Sequence, residues 1–207
     1  MISITLNDFI GFISGTERSK PGKVKKLMTR GEYSPEKDYW KKIRDGFKKF
    51  HKSGAFDSWD LNKLLLNVNQ KKLDNYTAAV DGYKDFLNTN MPLWFEPTSN
   101  NWVRGELSIS VNPEIGLVIN HEPHLVKFYF KKQKIEIDKL MVIFELMNES
   151  LSPPFGTKIS VLKVRTSKLF TMGFADLKYK GLLYEEVDSF VRIWKTLKAK
   201  EVPQNKN

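Results

Sequence analysis

His124-Leu125-Val126-Lys127-Phe128-Tyr129-Phe130-Lys131 decides how this chain is read. Side chains on a strand alternate between its two faces. Val126, Phe128 and Phe130 therefore share an apolar face, and Leu125, Lys127, Tyr129 and Lys131 share a basic one. Two preceding segments, Arg104 to Asn112 and Ile115 to Ile119, alternate in the same way. With Asn112-Pro113 and Asn120-His121-Glu122-Pro123 as turns, the three read as strands of one antiparallel sheet. Lys158 to Arg165 reads as a further strand, and Ser167 to Met172 as another.

Upstream the periodicity is helical. Thr5 or Asn7 caps a short helix through Phe9, Ile10, Phe12 and Ile13, and Gly15 ends it. Ser14 to Gly22 reads as a loop, with Pro21-Gly22 as a turn. Ser34 and Pro35 open a helix that runs to Lys52, with Tyr39, Trp40, Ile43, Phe47 and Phe50 along one stripe. Asp57 or Ser58 caps a short helix through Leu61, Leu64, Leu65 and Leu66. A longer helix spans Gln70 to Asn88. Helices over Ile135 to Leu151 and Glu185 to Lys198 complete the pattern. Trp94 and Trp102 bracket a polar loop, Glu96 to Asn101, and are the aromatics most open to a partner.

The expected fold class is α+β. A helical N-terminal half precedes a mainly antiparallel sheet of about four to five strands with packed helices. Residues 1–91 form a basic helical region and residues 92–207 an α+β domain, with one shared core as the alternative to two.

At 207 residues the chain has room for one large domain or two small ones, at about 100–200 residues per domain. It contains no cysteine, which excludes disulfides, thiolate metal sites and a cysteine nucleophile. No apolar run approaches the ~18 residues of a membrane span. The first residues, Met1 to Asp8, carry an early acid and no basic leader. The expectation is a soluble cytoplasmic protein.

The formal charge of +10 is uneven. Residues 18–52 hold thirteen Lys and Arg against Glu32, Glu36, Asp38 and Asp45, a local +9 that leaves about +1 for the rest. Such a concentration captures anions and is the footprint of a nucleic-acid or acidic-protein partner. A solvated surface carries the same signal. The expected phosphate contacts are Lys23, Lys25, Lys26, Arg30, Lys41, Lys42 and Arg44. If the strand from Lys158 joins the sheet beside Leu125 to Lys131, a second surface forms. It consists of Lys127, Lys131, Lys163, Arg165 and Lys168 around Tyr129, with the tyrosine free to stack on a base. A helix laid over that face would bury it instead.

Catalytic signatures are scarce. There is no Gly-x-Ser-x-Gly elbow, no Walker phosphate loop and no dinucleotide-binding glycine fingerprint. Of the three histidines, His51 ends a helix, where a cation favours the dipole. His121 and His124 sit at a strand turn and do not make a zinc site by themselves. Glu106 lies on the first strand beside Ser108 and Ser110, and Glu114 follows Asn112-Pro113. If their polar faces coincide with that of Lys127, acids and lysines meet on one side of the sheet. Carboxylates that hold Mg²⁺, with a lysine beside them, suit phosphodiester cleavage.

A helix, three antiparallel strands, a helix, a strand and a helix over residues 72–198 resembles the core of the PD-(D/E)XK restriction-endonuclease-like superfamily. Pro113-Glu114 stands where that family has Pro-Asp, and Leu125 to Lys131 where it has an acid-x-lysine pair. The resemblance implies a Mg²⁺-dependent nuclease with Glu106 or Glu114 and Lys127 at its centre. The sequence departs from the pattern at the second ligand. Leu125 stands two residues before Lys127 and Tyr129 two before Lys131, so that ligand comes from Glu106 or Glu122 or is lost. Apart from Mg²⁺ under this reading, no cofactor is expected. The leading expectation is a nucleic-acid-binding protein of a DNA- or RNA-processing or defence system. The alternatives are a non-enzymatic protein-interaction subunit and the nuclease.

Overall fold

The computed structural model describes residues 1–31, 38–54, 60–173 and 177–201, with the backbone alone at 177, 178 and 201. The chain is α+β, with the helical first half and sheet-rich second half expected from its periodicity.

Ile2–Thr5 forms β1, and Leu6–Ile13 forms α1. Thr5 caps α1 with a reciprocal capping box to Asp8, satisfying two otherwise unpaired backbone donors. Lys20–Met28 forms α2, with Pro21 in its first turn, so Pro21-Gly22 opens a helix and does not make the expected turn. Lys41–Ser53 forms α3, which ends on Gly54 at φ 62°. Ser34 and Pro35, expected to start this helix, lie outside the described residues, as do Asp57 and Ser58. Leu61–Leu65 is a 3-10 helix capped by Asp60. Gln70–Asn90 forms α4.

The strands then follow: β2 Leu93–Phe95, β3 Asn100–Arg104, β4 Leu107–Val111, β5 Ile115–Ile119 and β6 Glu122–Tyr129. After α5 (Ile137–Leu151) come β7 Lys158–Lys163, a 3-10 turn Val164–Thr166 and β8 Lys168–Thr171. The last helix, α6, spans Leu177–Glu201 and begins well before the expected Glu185.

The strands divide between two sheets, in the orders β2-β5-β6-β7-β8 and β1-β4-β3. Three of the four pairings in the five-stranded sheet are antiparallel, and only β6 and β7 run parallel. Asn120 and His121, at φ 50° and 66°, make the tight hairpin between β5 and β6. The expected single sheet through Arg104–Asn112 is corrected here. β4 turns away at Asn112-Pro113 and pairs with β3 and, in parallel, with β1.

Both faces of β6 are buried. Val126, Phe128 and Phe130 join the core beneath α3 and α4 with Phe47, Tyr83 and Phe86. Leu125 and Tyr129 join a second core with α1, α5, α6 and the small sheet. Each core draws side chains from both sides of residue 91. Trp40 stacks on Phe130 with ring centres 4.5 Å apart, and Phe47 on Tyr83 at 3.9 Å. Trp102 is buried, and its indole N–H donates to Glu149 at 2.8 Å, so it is not an open aromatic. Trp94 is half-buried beneath Lys52.

Among the described residues no helix is long and apolar enough to cross a membrane.

Candidate functional site

The centre of the sheet holds a charged pair. Glu114 precedes β5, and its carboxylate reaches β6 twice. One oxygen accepts from Lys127 Nζ at 2.5 Å and the other from the Phe128 backbone N–H at 2.7 Å. β5 begins at Ile115, opposite Val126, so beyond that end of the ladder the Glu114 side chain serves as the acceptor for the Phe128 N–H. Lys127 and Glu114 are only 2% and 5% exposed. Burial pushes the Lys127 ammonium down, and Glu114 counters it. Each group is occupied by the other and sealed from solvent.

Glu106 is elsewhere. It sits in the β3–β4 turn after Gly105 and pairs with Lys195 of α6. The expected convergence of Glu106 with Glu114 and Lys127 does not occur, because β4 and β6 belong to different sheets. Glu122 pairs with Lys158 at 3.5 Å. Among the described residues no three His, Asp or Glu side chains gather in a way that would hold a metal ion.

The sheet surface expected around Tyr129 is also divided. β7 does lie beside β6, with Tyr129 opposite Lys163. Lys127 and Tyr129, however, are buried beneath the second core, so neither offers a face to a base. Arg165 falls in the 3-10 turn and donates to Asn75 of α4 at 2.8 Å, away from Tyr129. Lys163 is half-buried, and Lys168 is exposed with its ammonium over Phe170.

The expected phosphate contacts between Lys23 and Arg44 are of two kinds. Arg30 grips Asp8 with two hydrogen bonds of 2.7 and 3.0 Å, and Arg44 grips Asp38. Lys41 pairs with Asp45, and Lys42 donates to the Leu66 carbonyl at 2.7 Å. These four are tied to the protein. Lys25 and Lys26 are exposed on α2 with no ion pair. Lys23 is half-buried and donates to the Gly11 carbonyl at the end of α1. His51, expected at a helix end where a cation favours the dipole, is 3% exposed and accepts from or donates to the Tyr83 hydroxyl at 2.7 Å. Burial pushes its pKa down to about 4, so desolvation outweighs the helix dipole and the ring is neutral.

One cleft lies beside the Lys23 ammonium. It has a volume of about 630 Å³ and lies between the α1–α2 loop and the loop joining β6 to α5. Ser14, Gly15 and Thr16 form one wall, and Lys131, Gln133 and Lys134 the other. Burial lowers the Lys131 pKa, with a lesser contribution from the charge of Lys23, whose ammonium lies beside Gly15 on the cleft wall. Among the described residues neither forms an ion pair. The Glu17 and Lys139 side chains on the rim are occupied by Lys20 at 2.6 Å and Glu186 at 2.7 Å. Glu136 is the remaining acid on the lining.

No protein-family model matches the chain, and no curated protein matches it.

Sequence reasoning reached Lys23 and Lys131 but missed Ser14, Thr16, Gln133 and Lys134. Lys131-Lys132-Gln133-Lys134 carries a visible basic run. What the sequence lacks is any mark that this run faces the turn after α1, more than 100 positions earlier.

Proposed function

We propose that this protein binds nucleic acid through phosphate contacts, on a surface formed by α2 and the loop between β6 and α5. The observation that carries the reading is the juxtaposition of Lys23 and Lys131. The Lys23 ammonium stands against Gly15 on one wall of the cleft and Lys131 lies on the other, two cations from distant parts of the chain with no ion pair among the described residues. Like charges repel, and an arrangement of this kind is relieved by an anion that bridges them. Lys134 stands on the same lining, and Lys25 and Lys26 are exposed on α2. Contacts of this kind supply affinity without reading sequence.

The test is binding of labelled single- and double-stranded DNA and RNA across a salt series. The logarithm of the association constant should fall linearly with the logarithm of salt concentration as counterions are released. Lys131→Glu combined with Lys26→Glu should abolish binding at salt levels where the parent still binds. Binding that is indifferent to salt, or that survives both reversals, overturns the reading. Purified protein free of nucleic acid that instead retains a strongly acidic protein would turn the same cations into a protein-docking surface.

A further inference from the structure

Tyr129 lines the cleft and is only 4% exposed. Its ring is held in the core with Leu125 and Ile135. Its hydroxyl makes no hydrogen bond to any described side chain or backbone group. The ring is enclosed, but the hydroxyl is not among the enclosed side-chain atoms that lack a partner, so it opens into the cleft and is available to a ligand there. Burial raises the pKa of this phenol, so it stays protonated and is a donor at neutral pH.

The rest of the cleft agrees with an anionic ligand. Lys131 and Lys134 stand on its lining, and the Lys23 ammonium lies beside Gly15 of the same lining. α5, a helix of fifteen residues, starts at the edge of the cleft with Glu136 at its N-cap and no side-chain cap, so its backbone donors there are unclaimed. Glu136 opposes an anion, but the unpaired cations outnumber it. The volume lies within the roughly 300–1,000 Å³ of small-molecule pockets, which is more than a lone phosphate fills. Ile13 and Ile135 supply apolar lining for an organic remainder, and Gln133, Ser14 and Thr16 supply polar lining.

We propose that this cleft binds the phosphate monoester of a nucleotide, with the Tyr129 hydroxyl, Lys131 and Lys134 on the phosphate. The ligand is either a free nucleoside monophosphate or the 5′-phosphorylated end of a strand. The inference deepens the nucleic-acid reading above and shares Lys131 and Lys134 with it, yet it concerns an end group where that reading concerns the backbone.

Binding of the full chain is measured with AMP, adenosine, and paired oligonucleotides that differ only in a 5′-phosphate or a 5′-hydroxyl. The monoester should bind at least about tenfold more tightly than its dephosphorylated counterpart, since hydrogen bonds to charged groups are worth about that much. Preference for AMP identifies a free nucleotide, and preference confined to oligonucleotides identifies a strand end. Tyr129→Phe keeps the ring and should leave thermal stability unchanged, because the lost hydroxyl has no protein partner. It should erase most of the phosphate preference, and Lys131→Ala should erase the remainder. Equal binding of phosphorylated and unphosphorylated ligands overturns the proposal, even where strands still bind in a salt-sensitive manner and the broader reading stands. A full phosphate preference in Tyr129→Phe overturns it as well. AMP binding without any strand binding keeps the cleft and sinks the nucleic-acid surface.

Discussion

His51 Nε2 and the Tyr83 hydroxyl lie 2.7 Å apart inside the core between α3 and α4. The pair is buried, and desolvation holds the imidazole neutral by lowering its pKa to about 4. Unfolding releases that constraint, and the ring returns to a pKa of about 6.5. The unfolded chain therefore binds more protons between those two values. The sign follows: stability is complete above pH ~6.5, falls as pH drops, and levels off near pH ~4. The contribution is on the order of 3 kcal/mol, at 1.36 kcal/mol for each pKa unit. His124, also lowered by burial, acts in the same direction. Urea unfolding at pH 7.5 and pH 5 should show the loss, and His51→Gln should flatten it. An acid-insensitive midpoint in the parent would contradict a buried neutral His51.

Removing one member of the Glu114–Lys127 pair should cost about 3–5 kcal/mol, because the other is left as an unpaired buried charge. Lys127→Met leaves Glu114 with only the Phe128 N–H. Adding Glu114→Gln keeps an acceptor for that N–H and removes the stranded charge. The double variant should therefore recover much of the loss, as read by denaturant midpoints. Loss of stability in Lys127→Met would also mean that reduced activity in this variant cannot by itself support a catalytic lysine.

Gly82 of α4 faces the 3-10 turn at Val164–Thr166. A Cβ there would stand 2.2 Å from the Val164 carbonyl oxygen and 2.8 Å from the Arg165 carbonyl carbon. Alanine favours a helix by ~1 kcal/mol over glycine. Here the neighbouring atoms are backbone and have little room to move, so Gly82→Ala should destabilise by about 1–3 kcal/mol. Thermal unfolding of the variant checks this, and a rise in the midpoint would show that α4 and the turn are further apart.

Arg30 and the pair Lys25 and Lys26 should separate in a salt titration of nucleic-acid binding. Arg30 is already committed to Asp8, in a partly exposed pair worth roughly 0.2–1 kcal/mol of stability. Arg30→Ala should lower stability slightly and leave the salt slope unchanged. Lys25→Ala and Lys26→Ala should each reduce the slope by about 1 if each contacts a phosphate. A slope that responds to Arg30 and not to the lysines would mean that the Asp8 grip opens on binding.

The alternation of Val126, Phe128 and Phe130 is enough to read β6, and Ile43, Phe47 and Phe50 are enough to place the buried stripe of α3, whereas Tyr39 and Trp40 fall in the turn before its first residue. The basic face of β6 reads from the sequence as either open or covered, because Lys127 and Tyr129 carry no mark in one dimension of what lies over them, and the structure has both buried. Glu114, thirteen residues earlier, neutralises the lysine, and the helical layer with the small sheet buries the tyrosine. β1 was missed because Ile2–Thr5 is too short to show a period and finds its partner in β4 only through tertiary contact. The cleft was half legible. Lys23 and Lys131 drew notice by charge, while the Ser14–Thr16 wall carries no sequence mark.

The pairing of Ile2–Thr5 with Leu107–Ser110 and the contact of Phe12 with Phe190, ring centres 5.0 Å apart, bear on how the protein is made. On the ribosome the first strand emerges long before its partner, and α1 waits longer still for α6. Until then Ile2, Ile4, Phe9 and Phe12 form an apolar segment with nothing to cover it. The core beneath α1 closes only once α6 has been made, and contacts this distant in sequence form slowly. Until then the nascent chain is exposed to aggregation at this segment, and a holdase chaperone would find a binding site there.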